Sequence, residues 1–227
     1  MKTKLTAVLI TAALLLSSCG SMNNTQKGAG IGAGSGAALG ALVGQIIGHN
    51  GKSTAIGAAI GAAVGTGAGA IIGKKMDRTA EEAARIEGAQ VEQIEDNNGL
   101  QAVKVTFDSG ILFDFNKSVL SSGARQSLTK FASLLNQNPT LDIAIYGHTD
   151  KVGTIQANET VSMRRARAVE DFLRSKGVSP AQFKEVVGKG YSEYNESLSA
   201  AQNRRVEVYM YASEQMIREA EAQSQQN

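Results

Sequence analysis

The chain has 227 residues, enough for one or two domains. Tryptophan is absent and aromatic residues make up only 5%, so any core is built mainly from aliphatic side chains. The formal net charge is +2, and removing Lys2 and Lys4 leaves 21 basic residues against 21 acidic ones. That balance argues against a protein that holds nucleic acid on a basic surface. A single cysteine, Cys19, excludes an intramolecular disulfide.

Lys2 and Lys4 precede an apolar stretch from Leu5 to Leu16. A stretch of about 12 residues is too short to span a bilayer and suits a secretory signal. Leu16-Ser17-Ser18-Cys19 follows, and it resembles the bacterial lipobox: an apolar residue, two small residues, then cysteine. The resemblance implies a signal peptide over residues 1–18, cleavage before Cys19 and lipidation of that residue. Two or more acyl chains make a stable anchor where one is marginal. Gly20, in place of an aspartate, implies delivery to the outer membrane, with residues 19–27 as a lipidated linker.

Residues 28–75 contain a glycine ladder of period four. Gly28, Gly32, Gly36, Gly40, Gly44 and Gly48 form one series; Gly57, Gly61, Gly65, Gly69 and Gly73 form the other. His49-Asn50-Gly51-Lys52 separates them and reads as a turn. Each series lies in a run without formal charge, about 31 Å long as a helix. Glycine costs about 1 kcal/mol relative to alanine in an exposed helix, so close packing must offset it. Small residues every four positions permit that approach. The expectation is a glycine-zipper helical hairpin. Three uses stay open at this point: insertion in a membrane, packing in an oligomer or on a membrane surface, or a flexible spacer. Gly51-Lys52-Ser53 is not a phosphate-binding loop, because Ile46 stands where that motif needs glycine.

Residues 76–88 are Ala/Glu-rich and read as a connecting helix, and residues 89–213 read as one domain. Ala89–Glu95 and Leu100–Phe107 flank Asp96-Asn97-Asn98-Gly99, a hairpin signal. Ser121–Asn136 is helical, with Leu128, Phe131, Leu134 and Leu135 on one stripe. Thr140–Tyr146 alternates, with Leu141, Ile143 and Ile145 on one face. Asn158–Lys176 is helical and stops at Gly177. Phe183–Gly188 and Arg204–Tyr211 are further strands, and residues 214–227 form a polar tail without an assigned role. The fold class is α+β: helices packed on a mixed sheet in an α/β sandwich.

The chemistry concentrates after the Thr140–Tyr146 strand. Gly147-His148-Thr149-Asp150 lies just past a strand end, where open α/β sheets often place ligands. Asn158, Ser162 and Arg165 share one helix face, and Arg165 lies in line with the core-facing Ala166, Val169 and Phe172. A guanidinium there needs an anion or strong hydrogen bonding. Arg164 and Arg167 fall off that stripe and read as solvated. Spacing alone leaves two readings: an Asp150–Arg165 structural salt bridge, or an acid and a base held apart for a ligand.

Asn116, Gly147-His148-Thr149-Asp150, Asn158, Ser162, Arg165-Ala166 and Asn203-Arg204-Arg205-Val206-Glu207 together resemble the OmpA-like peptidoglycan-binding domain over about residues 105–211. The glycine-rich front is similar to that of glycine-zipper outer-membrane lipoproteins. The resemblance implies an OmpA-like sandwich and a ligand, the diaminopimelate of the peptidoglycan stem peptide. It implies that Asp150 takes the ammonium and Arg165 the carboxylate, the latter by a geometry that suits guanidinium. Asn116 would line the pocket, and Asn158, Asn203 and Arg204 would hold or extend it. One departure stands out: Tyr191-Ser192-Glu193-Tyr194-Asn195-Glu196 lacks the Pro and Gly-Glu pattern common in relatives.

Two histidines, His49 and His148, cannot build a histidine-rich metal site, and no serine elbow is marked. The expectation is a non-enzyme without cofactor, metal or nucleic-acid partner. It binds peptidoglycan, is anchored in the outer membrane with its C-terminal domain in the periplasm, and has a zipper able to form homo-oligomers. The alternative is an assembly or scaffold lipoprotein in which the zipper acts and the C-terminal domain positions it.

Overall fold

The computed structural model describes residues 67–96, 99–113 and 117–226. Cys19, the glycine series before Gly67 and Asn116 lie outside the described residues, as do the expectations that rest on them.

In chain order the elements are α1 (Gly67–Ala84), β1 (Ala89–Glu95), β2 (Gln101–Asp108), α2 (Ser109–Leu112), α3 (Ser122–Gln137), β3 (Leu141–Gly147), α4 (Ile155–Ser175), a 3-10 turn (Pro180–Gln182), β4 (Phe183–Gly188), α5 (Ala200–Asn203), β5 (Arg205–Ala212) and α6 (Glu214–Ser224). The five strands form one sheet in the order β1-β2-β5-β3-β4. β1 and β2 pair as the expected antiparallel hairpin, and β5 runs antiparallel to both β2 and β3. Only β3 and β4 are parallel, joined through α4. A parallel pair needs a long crossover, which the 21-residue α4 supplies.

Helix boundaries follow local chemistry. Ser121, Thr154, Ser199 and Ser213 each cap a helix by accepting a backbone N–H with the side-chain oxygen. Thr154 therefore starts α4 at Ile155, one turn before the expected start at Asn158. Gly177 adopts φ of 91° just past its end.

The apolar stripes read from the sequence are buried. Leu128, Phe131, Leu134 and Leu135 of α3 face Leu141, Ile143 and Ile145 of β3 and Val206, Val208 and Met210 of β5 in one continuous core. Val169 and Leu173 of α4 join them, and Phe172 is half-buried at the edge. The other sheet face holds a smaller aromatic cluster in which Tyr146 and Tyr209 meet edge to face at 5.4 Å.

The domain is larger than the matching motifs. No helix break falls at residues 75–76: α1 runs without interruption from the last glycines of the ladder into the Ala/Glu-rich segment. Ala68, Ile72, Met76, Ala80 and Ala83 bury one stripe of it in the core. The polar tail forms α6, whose Met216, Ile217 and Ala220 are buried in the same core. A Cβ at Gly67 would approach Ser224 Cβ to 3.2 Å, so the two helices meet closely at that glycine.

Candidate ligand site at the end of the sheet

The C-terminal ends of β3 and β4 and the start of β5 meet at one edge. Gly147 pairs with both Gly188 and Val206. Backbone bonds continue the alignment beyond the strands: His148 N–H donates to Arg205 O (2.9 Å), Thr149 N–H to Gly190 O (2.8 Å) and Lys189 N–H to Gly147 O (2.9 Å). The loop carrying Asp150 is thus stitched to both neighbours.

α4 lies hard against this edge. A Cβ on Gly147 would fall 2.2 Å from Ser162 O, and one on Gly188 would fall 2.3 Å from Met163 N. Only glycine lets the helix backbone come so near. Ser162 is fully buried, and its Oγ accepts from Gly190 N–H at 2.9 Å. Asn158 is buried one turn earlier and donates through Nδ2 to Val152 O (3.0 Å) and Thr154 O (3.1 Å). These two side chains fix the 150–154 loop and the turn at residue 190 against the helix.

Asp150 is mostly buried, at 14% side-chain exposure. Its Oδ1 accepts from Val152 N–H (3.0 Å), which orients the carboxylate, and its Oδ2 accepts from Arg204 Nη1 at 2.6 Å. The partner is Arg204, not Arg165: the salt bridge that spacing left open between Asp150 and Arg165 is absent. Arg165 is 7% exposed on the buried stripe of α4, with Arg164 and Arg167 exposed on either side. Its guanidinium lies over the Phe113 ring, 5.4 Å from the centroid, and Nε donates to Lys117 O at 3.4 Å. Burial lowers the Arg165 pKa from its ordinary value; the charge of Arg204 lowers it further and that of Asp150 opposes them. The two guanidiniums and one carboxylate therefore share a single electrostatic neighbourhood.

Asn203 is fully buried beside them. Its Nδ2 donates to the carbonyls of Asn195 (3.0 Å), Leu198 (3.3 Å) and Ser199 (3.1 Å), and its Oδ1 accepts from Asn195 N–H (2.8 Å). The side chain is the internal pin of the 195–199 loop. Lys151 crosses to the same loop by pairing with Glu196 and lying 4.6 Å over the Tyr194 ring. The atypical Tyr191–Glu196 segment thus packs against the loop that carries Asp150.

Beneath the loop lies a group that motif reading left in the background. His148 is buried, with Nε2 3.3 Å from Glu207 Oε2 and Nδ1 3.9 Å from Glu193 Oε2. Glu207 also accepts from Arg205 Nε (2.7 Å) and Tyr209 OH (2.8 Å). Burial would raise the Glu207 pKa, but His148 and Arg205 together hold it well below the usual carboxylate range. His148, Glu193 and Glu207 bring ligand-type atoms within 4.8 Å of one another. The carboxylates nevertheless face opposite ring nitrogens, and Arg205 and Lys189 already balance their charge. The cluster is a charge network joining the 189–193 turn to β5. Its signal in the sequence was the period-two Glu207-x-Tyr209 on the strand face opposite the core.

Residues 112–205 match the OmpA family. Residues 1–77 match the YMGG-like Gly-zipper. Outer membrane protein A of Bordetella avium is 35% identical over 118 residues, covering 49% of this chain and 59% of that protein. Peptidoglycan-associated lipoprotein of Brucella melitensis is 40% identical over 78 residues, 34% of this chain and 46% of that protein. The chain thus spans only about half the length of these relatives. Among solved structures, a MotB-like protein from Desulfovibrio vulgaris has the same fold, with TM-score 0.51 and 22% identity over 64% of this chain and 96% of that one.

Proposed function

We propose that this protein tethers the bacterial outer membrane to the cell wall, holding diaminopimelate of peptidoglycan without covalent chemistry. The observation that carries the reading is the gathering of Asp150, Arg165 and Arg204 at one end of the sheet of an OmpA-family domain. Diaminopimelate presents an ammonium and a carboxylate on one carbon. A carboxylate with two guanidiniums in its neighbourhood offers each group of that pair a partner of opposite sign. Asp150 takes the ammonium, and Arg165 takes the carboxylate. Asn158 and Asn203 hold the two loops that frame the site. The role is binding and includes no catalytic step. The similarity to a peptidoglycan-associated lipoprotein supports association with peptidoglycan, and the Leu16–Cys19 lipobox supplies the membrane end of the tether, with the C-terminal domain in the periplasm.

A second reading rests on the Gly-zipper match over residues 1–77, which includes the start of α1. In it the zipper forms homo-oligomers or enters a membrane, and the C-terminal domain positions it on the wall. The two readings are compatible in one molecule and separable by experiment.

The test is co-sedimentation of the full chain in detergent with purified peptidoglycan sacculi, with free diaminopimelate as competitor. Sedimentation that diaminopimelate suppresses supports the tether. A folded protein that stays in the supernatant overturns it and leaves the zipper as the functional element.

A further inference from the structure

The carboxylate assigned to the ligand ammonium is already occupied. Arg204 Nη1 lies 2.6 Å from Asp150 Oδ2. The two members of the pair differ in freedom. Asp150 is fixed by its second oxygen on Val152 N–H and is mostly buried. Arg204 sits between α5 and β5 with 40% of its side chain exposed, so its head can leave without unpacking the core. Arg165 cannot follow suit: it is buried on α4 and stacked on Phe113.

We propose that Arg204 is a specificity-determining residue, making the site accept an ammonium only when a carboxylate stands beside it; this rests on the diaminopimelate reading above. A ligand ammonium reaches Asp150 Oδ2 by displacing Arg204. A carboxylate on the same carbon then offers the displaced guanidinium a new partner, next to Arg165. One ion pair is lost and two are formed. A bare ammonium exchanges that pair for its own with Asp150 and leaves the Arg204 guanidinium without a partner. It also leaves three cations around one carboxylate, a like-charge crowding that opposes binding. The Asp150–Arg204 bond thus acts as a built-in competitor that only a zwitterionic centre can displace on favourable terms.

The experiment is calorimetric titration of the full chain in detergent with two tetrapeptides, L-alanyl-γ-D-glutamyl-X-D-alanine. X is meso-diaminopimelate in one and L-lysine in the other, so they differ only by the carboxylate beside the side-chain ammonium. The wild type is expected to prefer the diaminopimelate peptide by more than about tenfold, the scale of a charge-assisted pair. In Arg204→Gln the preference falls by about tenfold, with the lysine peptide binding more tightly than it does to the wild type. Arg204→Lys keeps a cation beside Asp150 and retains most of the preference. An unchanged preference in Arg204→Gln, or equal loss in both variants, overturns the role of Arg204 and leaves the site intact. If the diaminopimelate peptide fails to bind the wild type, the site reading falls, and this inference with it.

Discussion

Gly147 and Ser162 stand so close that a Cβ on the glycine would lie 2.2 Å from the Ser162 carbonyl oxygen. The contact joins the last residue of β3 to the middle of α4. It therefore sets the spacing between the Asp150 loop and the helix that carries Arg165. Gly147→Ala forces that helix off the sheet. Overpacking against backbone costs about 3 kcal/mol, and Tm should fall by roughly 5–10 °C. Thermal unfolding followed by circular dichroism checks this; a Tm within a degree of wild type would show that the helix and strand can separate freely.

Arg165 combines charge, a planar fork and a stacked position over Phe113. Arg165→Lys keeps the charge and most of the stem but loses the fork. It should weaken sacculus binding by about tenfold or more while the domain remains folded, because bidentate geometry is lost. Asp150→Asn should weaken binding at least as much, since the ammonium loses its counter-charge. Wild-type affinity in both variants would place the ligand elsewhere.

Asn203 makes four hydrogen bonds inside the 195–199 loop. Asn203→Ala strands buried backbone groups and should cost about 2 kcal/mol. Amide exchange should speed up selectively over residues 195–199, ahead of any change in the sheet. Uniform acceleration across the domain would point to global destabilisation instead.

Asp142 illustrates a pH effect remote from the site. Burial pushes its pKa up from 3.8 to about 6, against the opposing influence of Lys184 at 3.4 Å. Because the folded-state value is the higher one, the contribution to stability is complete below about pH 4 and is lost as pH rises through 6. Asp142→Asn should therefore raise stability at pH 7.5 relative to wild type by about 2 kcal/mol, and by little at pH 4. Denaturant midpoints at the two pH values test it; an equal shift at both would mean the carboxyl does not titrate in that window.

α1 and α6 extend the domain beyond its motif-bearing part. Ala68, Ile72 and Met76 of α1 and Met216 and Ile217 of α6 are buried in the common core. A fragment of residues 88–227 should be markedly less stable than one of residues 67–227, with exposed apolar surface detectable by dye binding. Equal stability would show that α1 adds nothing to the core.

Much of this was legible along the chain. Period-two alternation in Leu141–Ile145 and Val206–Met210, and the helical stripe of α3, each reported a face that had to be buried. Asn158, Ser162 and Arg165 fell on one face because helical geometry admits no other arrangement. The identity of the groups gathered at the site could thus be read from spacing and motif. Their connections could not. Nothing in residue spacing says that Asp150 pairs with Arg204, 54 positions away, instead of with Arg165, or that the Asn203 amide is spent on its own loop. Nor does a polar tail announce that three of its residues close the core against α1. The sequence by itself determined the elements, their buried faces and the residue types available for chemistry, because these depend on local propensity and periodicity. Tertiary structure alone decided which charges meet, because that depends on how the antiparallel β5 brings its first residues to the end of β3, a pairing set by the whole sheet.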